Sequence, residues 1–302
     1  MNAQADRSQL NGSHQPLAEP PFPLAQVDRE RLELERHLSP EVIEARGHCT
    51  LPPGAVGSRW LQEHGFSEQQ AAAGGGLLTP ILDRHGAIVD YLFEPRHPRR
   101  GADGRVVTCE SAIGRQRHVD FGLFSRNALT SRLAAVWTQG VHNADAAASQ
   151  GMAAVNLNGI YHDQRWHEAG GLEALLGLEE LCVVAGARHS EEQIHFIVLD
   201  SDWREGDAVS QALLQLGAAL ETIFKARGGH GLVLVVGLPN DPAGQRVGLS
   251  EYLSGGGCDG EMFVGGHRDL TFPSMEQRQQ PMYEAIWQRL LSEAGVEWAE
   301  RR

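Results

Sequence analysis

Four short apolar runs separated by helical stretches constrain this chain more than any other feature. The runs lie at 133–138, 153–157, 194–199 and 231–236, and the helical patterns at 142–150, 170–186 and 207–227. Strands that alternate with helices form parallel sheets covered by helices on both faces, because a parallel crossover needs a helix-length connection. The run "QIHFIVLD" is apolar almost throughout, as a strand buried on both faces must be. The expected fold class is therefore α/β, with a parallel sheet flanked by helices over 131–257.

The preceding region reads differently. "DRERLELERHLSPEVIEARG" at 28–47 predicts two short helices, with Ser39 as N-cap, Pro40 at the first helical position and Gly47 at the stop. Segment 58–76 repeats that rhythm, with a break at Gly65-Phe66 and Ser67 as cap. The two segments read as a weak duplication, as a helix-turn-helix DNA reader, or as packed αα-hairpins. Residues 76–111 read as strands divided by turns at Asp83-Arg84-His85-Gly86 and Asp103-Gly104. The expected organisation is a disordered arm at 1–25, a smaller helical and β-hairpin region at 26–130, the α/β domain at 131–257, and a helical extension at 258–302. In that extension Met282, Ile286, Trp287 and Leu290 share an apolar face.

No apolar run reaches the ~20 residues of a membrane helix, and the N-terminus has no signal-peptide core, which points to a cytoplasmic protein. The net charge of −13 argues against indiscriminate coating of DNA. It leaves room for a local basic strip: Arg96, Arg99, Arg100 and Arg105 in "RHPRRGADGR" read either as a phosphate contact or as a solvated hairpin tip. Cys49, Cys109, Cys182 and Cys258 are too scattered for a zinc site or a disulfide framework.

The candidate chemistry sits where strands end. Asp200 and Asp202 follow the buried run at 194–199, and residues two apart in an extended segment point the same way. Two convergent carboxylates there suit Mg²⁺, which takes one or two carboxylates and keeps its other positions for waters or phosphates. The alternative is a D-x-D turn leading to a helix capped by Asp207. Gln139-Gly140 ends an earlier strand before a helix N-terminus, where backbone amides can hold a phosphate. His162, Asp163 and His167 lack helical ligand spacing and a third partner. No P-loop and no G-x-S-x-G elbow occurs.

Taken in order, "TQG", "HNADAAASQG", "AVNLNG", "IVLDSD", "LVVGLP" and "VGLSEYL" resemble the Toprim-like domain of primase- and helicase-associated proteins in phages, plasmids and other mobile elements. "LSPEVIEARG", "GLLTPILDRHGAIVDY" and "PRRGADGRVV" fit the N-terminal half of that family, so the resemblance spans 28–257. It implies a role in DNA replication or DNA handling, with single-stranded or duplex DNA and a helicase or polymerase as partners. It also implies Mg²⁺-dependent phosphoryl transfer, with a glutamate after the first strand and aspartates after the third.

Carried over, the aspartates match Asp200 and Asp202 and the glutamate matches Gln139, an amide that does not titrate. The chain also departs from the pattern at His142-Asn143, Ser250-Glu251 and Thr108-Cys109. The expectation is a Toprim-type protein with phosphoryl transfer reduced or lost. The alternatives are an inactive scaffold for a protein partner and an active enzyme in which Glu205 or Asp207 replaces the glutamate.

Overall fold

Two sheets organise the computed structural model, which describes residues 16–72, 74–83, 85–101, 104, 106–113, 118–122, 134–157, 193–201, 216–218, 220–221, 231–241, 243–254 and 263–266. The larger sheet contains β7 (Ala134–Thr138), β8 (Ala154–Asn156), β9 (Gln193–Leu199), β10 (Gly231–Gly237) and β11 (Phe263–Gly266) in the order β11-β10-β9-β7-β8. The four strands expected from the apolar runs are all present and all parallel, with Phe196 of β9 opposite Val136 of β7 and Leu234 of β10. The edge strand β11 runs antiparallel to β10. Trp137 and His195 are buried within this sheet, where the indole Nε1–H donates to His195 Nδ1 at 2.9 Å. Burial lowers the His195 pKa to about 3, so its imidazole stays neutral.

Helix α5 (Val141–Ser149) leaves the end of β7 through Gly140, whose φ of 96° suits glycine. A second helix, α6 (Leu249–Leu253), packs against α5. Within the helix expected at 207–227, the described residues are helical and Leu216 and Leu220 are fully buried. The helices expected at 170–186 and 274–300 lie outside the described residues.

The smaller sheet is antiparallel, with β1 (Cys49–Leu51), β2 (Gly76–Leu82), β3 (Ile88–Pro95) and β6 (Glu110–Ser111) in the order β1-β2-β3-β6. Asp83 makes the β2–β3 turn: its Oδ1 accepts from His85 N at 2.8 Å and Ala87 N at 2.9 Å. A two-stranded ribbon, β4 (Arg99–Arg100) and β5 (Val106–Val107), flanks the second expected turn, of which Gly104 is described and Asp103 is not.

Four short helices flank this sheet. The first, α1 (Gln26–Glu30), continues as a π-helical turn over 31–35. Next, α2 (Pro40–Arg46) starts at Ser39, whose Oγ accepts from Val42 N at 3.3 Å, and stops at Gly47 with φ 76°. Then α3 (Ala55–Glu63) leads to α4 (Glu68–Ala71), which begins in a Ser67–Gln70 capping box.

The two helix pairs serve different cores. Leu32, Leu38 and Ile43 join Val136, Ala144, Ala147, Phe196 and Leu234 on the larger sheet. Trp60, Leu61, Phe66 and Ala71 join Leu51, Leu78, Tyr91 and Phe93 on the smaller one.

Part of the expected arm is built into the fold, from residue 16 onward. Leu17 and Phe22 pack on the smaller sheet's core, Leu17 N donates to Ile88 O at 2.8 Å, and Ala25 N donates to Thr50 Oγ1 at 2.8 Å. Apolar residues interleaved with prolines make such an extended segment cheap to order, since proline removes conformational freedom before folding. Residues 1–15 are outside the described set.

Segment 118–122 joins the two sheets. Asp120 and Asn156 exchange backbone bonds at 2.9 and 3.1 Å at the β8 edge, while Phe121 N donates to Leu82 O at 2.9 Å at the end of β2. No described helix is long and apolar enough to cross a membrane.

Candidate functional site at the strand ends

Parallel strands present their carboxyl ends on one side of a sheet, and neighbouring β7 and β9 bring Gln139 and Asp200 together there. The side chain that connects them is Asn143, in the first turn of α5. Its Nδ2 donates to Gln139 O at 2.7 Å and to Asp200 Oδ1 at 3.2 Å. Its Oδ1 accepts from Ser250 N at 3.0 Å, which fixes the start of α6 to the same point. The other Asp200 oxygen, Oδ2, is ion-paired with Arg246 Nη2.

Glu251 completes the rim. Its Oε2 accepts from Gly248 N at 3.0 Å and from Ser250 Oγ at 3.1 Å. Its Oε1 lies 3.6 Å from Arg36 Nη1. A Cβ at Gly248 would come within 2.7 Å of Glu251 Oε2 and 3.1 Å of Asn143 Oδ1, so the loop packs directly against both.

These residues hold the described part of the expected Mg²⁺ site. Gln139 offers an amide in place of an acid. Asp200 has one oxygen against a guanidinium and the other within hydrogen-bond range of an amide N–H. Among the described residues no group of three His, Cys, Asp or Glu is placed to hold a metal. The described donors alone therefore do not complete a Mg²⁺ site. Asp202, Glu205, Asp207, His162, Asp163 and His167 lie outside the described residues.

The arginine strip is largely engaged by carboxylates. Arg96 Nη2 reaches Asp28 Oδ2 at 2.9 Å. Arg99 grips Glu110 with Nε to Oε1 at 3.0 Å and Nη2 to Oε2 at 2.7 Å, and this raises the Arg99 pKa. Arg100 is exposed and donates from Nη1 to Gly104 O at 2.9 Å. Arg105 is outside the described residues. Of the cysteines described, Cys49 and Cys109 are free; burial pushes the Cys49 thiol up to about 12, an inert value.

Sequence reading missed a second polar constellation, buried between the smaller sheet and α5. Arg46, at the end of α2, bonds Asp145 of α5 through Nε at 3.0 Å to Oδ2 and reaches Asp120 Oδ1 from Nη1 at 2.5 Å. All three side chains are at most 2% exposed. Asp120 also accepts from Leu82 N at 3.0 Å and from Asn156 Nδ2 at 3.2 Å. Asn156 Oδ1 in turn accepts from Gly140 N at 3.0 Å, which ties the seam to the strand-end site.

The two aspartates respond oppositely to this setting. Burial works against the Asp145 carboxylate, but Arg46 and His48 hold it down to about 2. Burial pushes Asp120 up despite Arg46. Nearby, His142 Nε2 contacts Glu94 Oε1, and Arg31 Nη2 lies 2.5 Å from Glu94 Oε2. Burial opposes the Glu94 charge as well, yet His142, Arg31 and Arg36 hold it down to about 2. The one available signal was Asp145 itself, a lone acid on the alanine face of "NADAAAS" three residues after His142, and so on the same side of the helix.

No family model matches the sequence, and no curated protein matches it. The structure is similar to the RNA polymerase domain of Mycobacterium tuberculosis primase DnaG, at 17% identity over 88% of this chain and 81% of that one, with a TM-score of 0.47. It is also similar to the E. coli primase catalytic core, at 15% identity over 93% and 94% of the two chains and a TM-score of 0.47. The mycobacterial domain in complex with a double-stranded DNA oligomer with a 6-nucleotide overhang gives 16% identity, 90% and 85% coverage, and 0.44.

Proposed function

We propose that this chain is a Toprim-type nucleic-acid-handling protein of a mobile element whose strand-end centre no longer performs Mg²⁺-dependent phosphoryl transfer. The observation that carries this reading is the state of Asp200. A carboxylate that would ligate a cation is bonded instead to Arg246 and Asn143, beside an amide at Gln139. The ordered Toprim-like motifs over 28–257 support the nucleic-acid part. DNA binding then rests on exposed cations such as Arg100, with replication or DNA handling beside a helicase or polymerase as the role.

The test is a primer-synthesis and cleavage assay with Mg²⁺ and Mn²⁺, run beside DNA binding by fluorescence anisotropy. The protein as it stands and Gln139→Glu are both expected to be inactive, because Arg246 and Asn143 still occupy Asp200. Binding is expected to persist and to weaken with salt, with Arg100→Ala lowering the log–log salt slope by about one. Turnover by the unaltered protein would overturn the lost-activity reading.

The engagement of Arg96 by Asp28 and of Arg99 by Glu110 favours a second reading, an inactive scaffold for a protein partner. No measurable DNA binding at low salt would select it.

A further inference from the structure

The seam around Arg46 holds more than ion pairs. His48 follows α2 and lies between the smaller sheet and α5, where it is 6% exposed. Its Nδ1 is 3.0 Å from Thr79 Oγ1 of β2. Among the described residues its Nε2 has no hydrogen-bond partner; the nearest described acid is Asp145, whose Oδ2 is 3.7 Å away and already bonded by Arg46. The His48 ring stacks on that of His142, with centroids 6.1 Å apart and an interplanar angle of 22°. His142 Nδ1 is likewise buried without a partner among the described residues.

Thr138 Oγ1 is a third buried orphan, and the strand geometry brings it to the same side of the sheet. It stands opposite Asn156 in the β7–β8 pair, and Asn156 bonds Asp120 of the seam. The groups facing His48 are thus Arg46 beside it in the chain, Asp145 and His142 from α5, and Thr79 from β2. Asp120 lies behind Arg46, and Glu94 with Arg31 lies behind His142.

We propose that His48 makes this seam acid-sensitive: a proton on the imidazole opens the contact between the α2–β1 segment and α5 before the protein unfolds as a whole. An imidazolium needs acceptors at both ring nitrogens. Among the described residues, the closed seam offers Thr79 to one and, to the other, only Asp145 Oδ2 at 3.7 Å, which Arg46 already holds. The new cation would also sit near Arg46, and Asp145 could approach it only by loosening the Arg46 pair. Burial lowers the His48 pKa, in keeping with this geometry.

An open seam takes the proton at the ordinary imidazole value of about 6.5, and the closed seam refuses it. The closed form therefore keeps its full advantage above that value and loses it as the pH falls below. Opening would loosen the hold of the smaller sheet on α5, the helix that carries Asn143 of the strand-end site. The proposal itself does not rest on the functional reading above.

The experiment is amide hydrogen exchange on the full chain from pH 8 to pH 5, corrected for intrinsic rates, beside a titration of the His48 ring protons by NMR. Protection in α2 and β1 is expected to fall about 30-fold, the factor set by one open-state group with a pKa of about 6.5. His48→Asn keeps a side-chain partner for Thr79 and is expected to abolish that pH step. In the unaltered protein the His48 resonances are expected to show no titration over this range while the seam is closed. An unchanged step in His48→Asn, or an ordinary imidazole titration with full protection at pH 5, overturns the proposal. If His48→Asn does not fold, the ring titration alone decides between these outcomes.

Discussion

Two aspartates of this protein each meet an arginine, in opposite surroundings. Asp145 and Arg46 are at most 2% exposed, whereas in the Asp200–Arg246 pair the arginine is 48% exposed. A buried pair is hard to make and harder to break, because removing one partner strands the other charge in a medium that cannot solvate it. A pair at the surface gains little, since water screens it and two side chains must be held still. The same chemistry thus locks one region of the molecule and only trims the other. A substitution in the Asp200–Arg246 pair should therefore cost the fold little, whereas one in the seam should cost it heavily.

Arg46→Ala should sharpen that contrast most. It leaves Asp145 and Asp120 without their cation, and a loss of about 3–5 kcal/mol is expected in denaturant unfolding at pH 7. A loss below about 1 kcal/mol would break the comparison. Acid should act next. Asp145 and Glu94 are held down to about 2, well below an unfolded carboxylate near 4. Their contribution is present above pH 4 and drains away as the pH falls through 2, so thermal melts should show a stability step there that Asp145→Asn reduces. Arg246→Ala should do least, with a change within about 1 kcal/mol and no new metal-dependent activity while Gln139 remains.

The frame was legible in the sequence because its signals are local. Parallel strands buried on both faces must be apolar end to end, so the runs ending at Trp137, Leu157, Leu199 and Val236 announced themselves, and all four strands appear where they were read. Ser39, Gly47 and Ser67 gave the helix ends through their own backbone geometry.

The seam was illegible for the opposite reason. Arg46 and Asp145 stand 99 positions apart, and Glu94 and His142 stand 48 apart. No spacing rule links them until two sheets are packed together. At the strand ends, the Gln139–Asp200 neighbourhood was readable from topology, but the capture of Asp200 by Arg246 and Asn143 was not, since a loop conformation decides it. The pairing of Arg96 and Arg99 was illegible for a third reason: clustering of like charge in sequence says nothing about Asp28 and Glu110, which arrive from elsewhere in the chain to meet them.

The short segment 118–122 bonds to β8 on one side and β2 on the other, and this bears on how the protein can be divided. A boundary drawn near residue 130 looks natural from the change of sequence pattern there. Cut there, the α/β half would lose the strand partner of Asn156 and, with it, the side-chain contact to Asp120. The other half would lose the helix face that covers Leu32, Leu38 and Ile43. Neither fragment is expected to behave as a free-standing module, and a gene fusion or split-protein design would do better to leave both sheets on one uninterrupted chain.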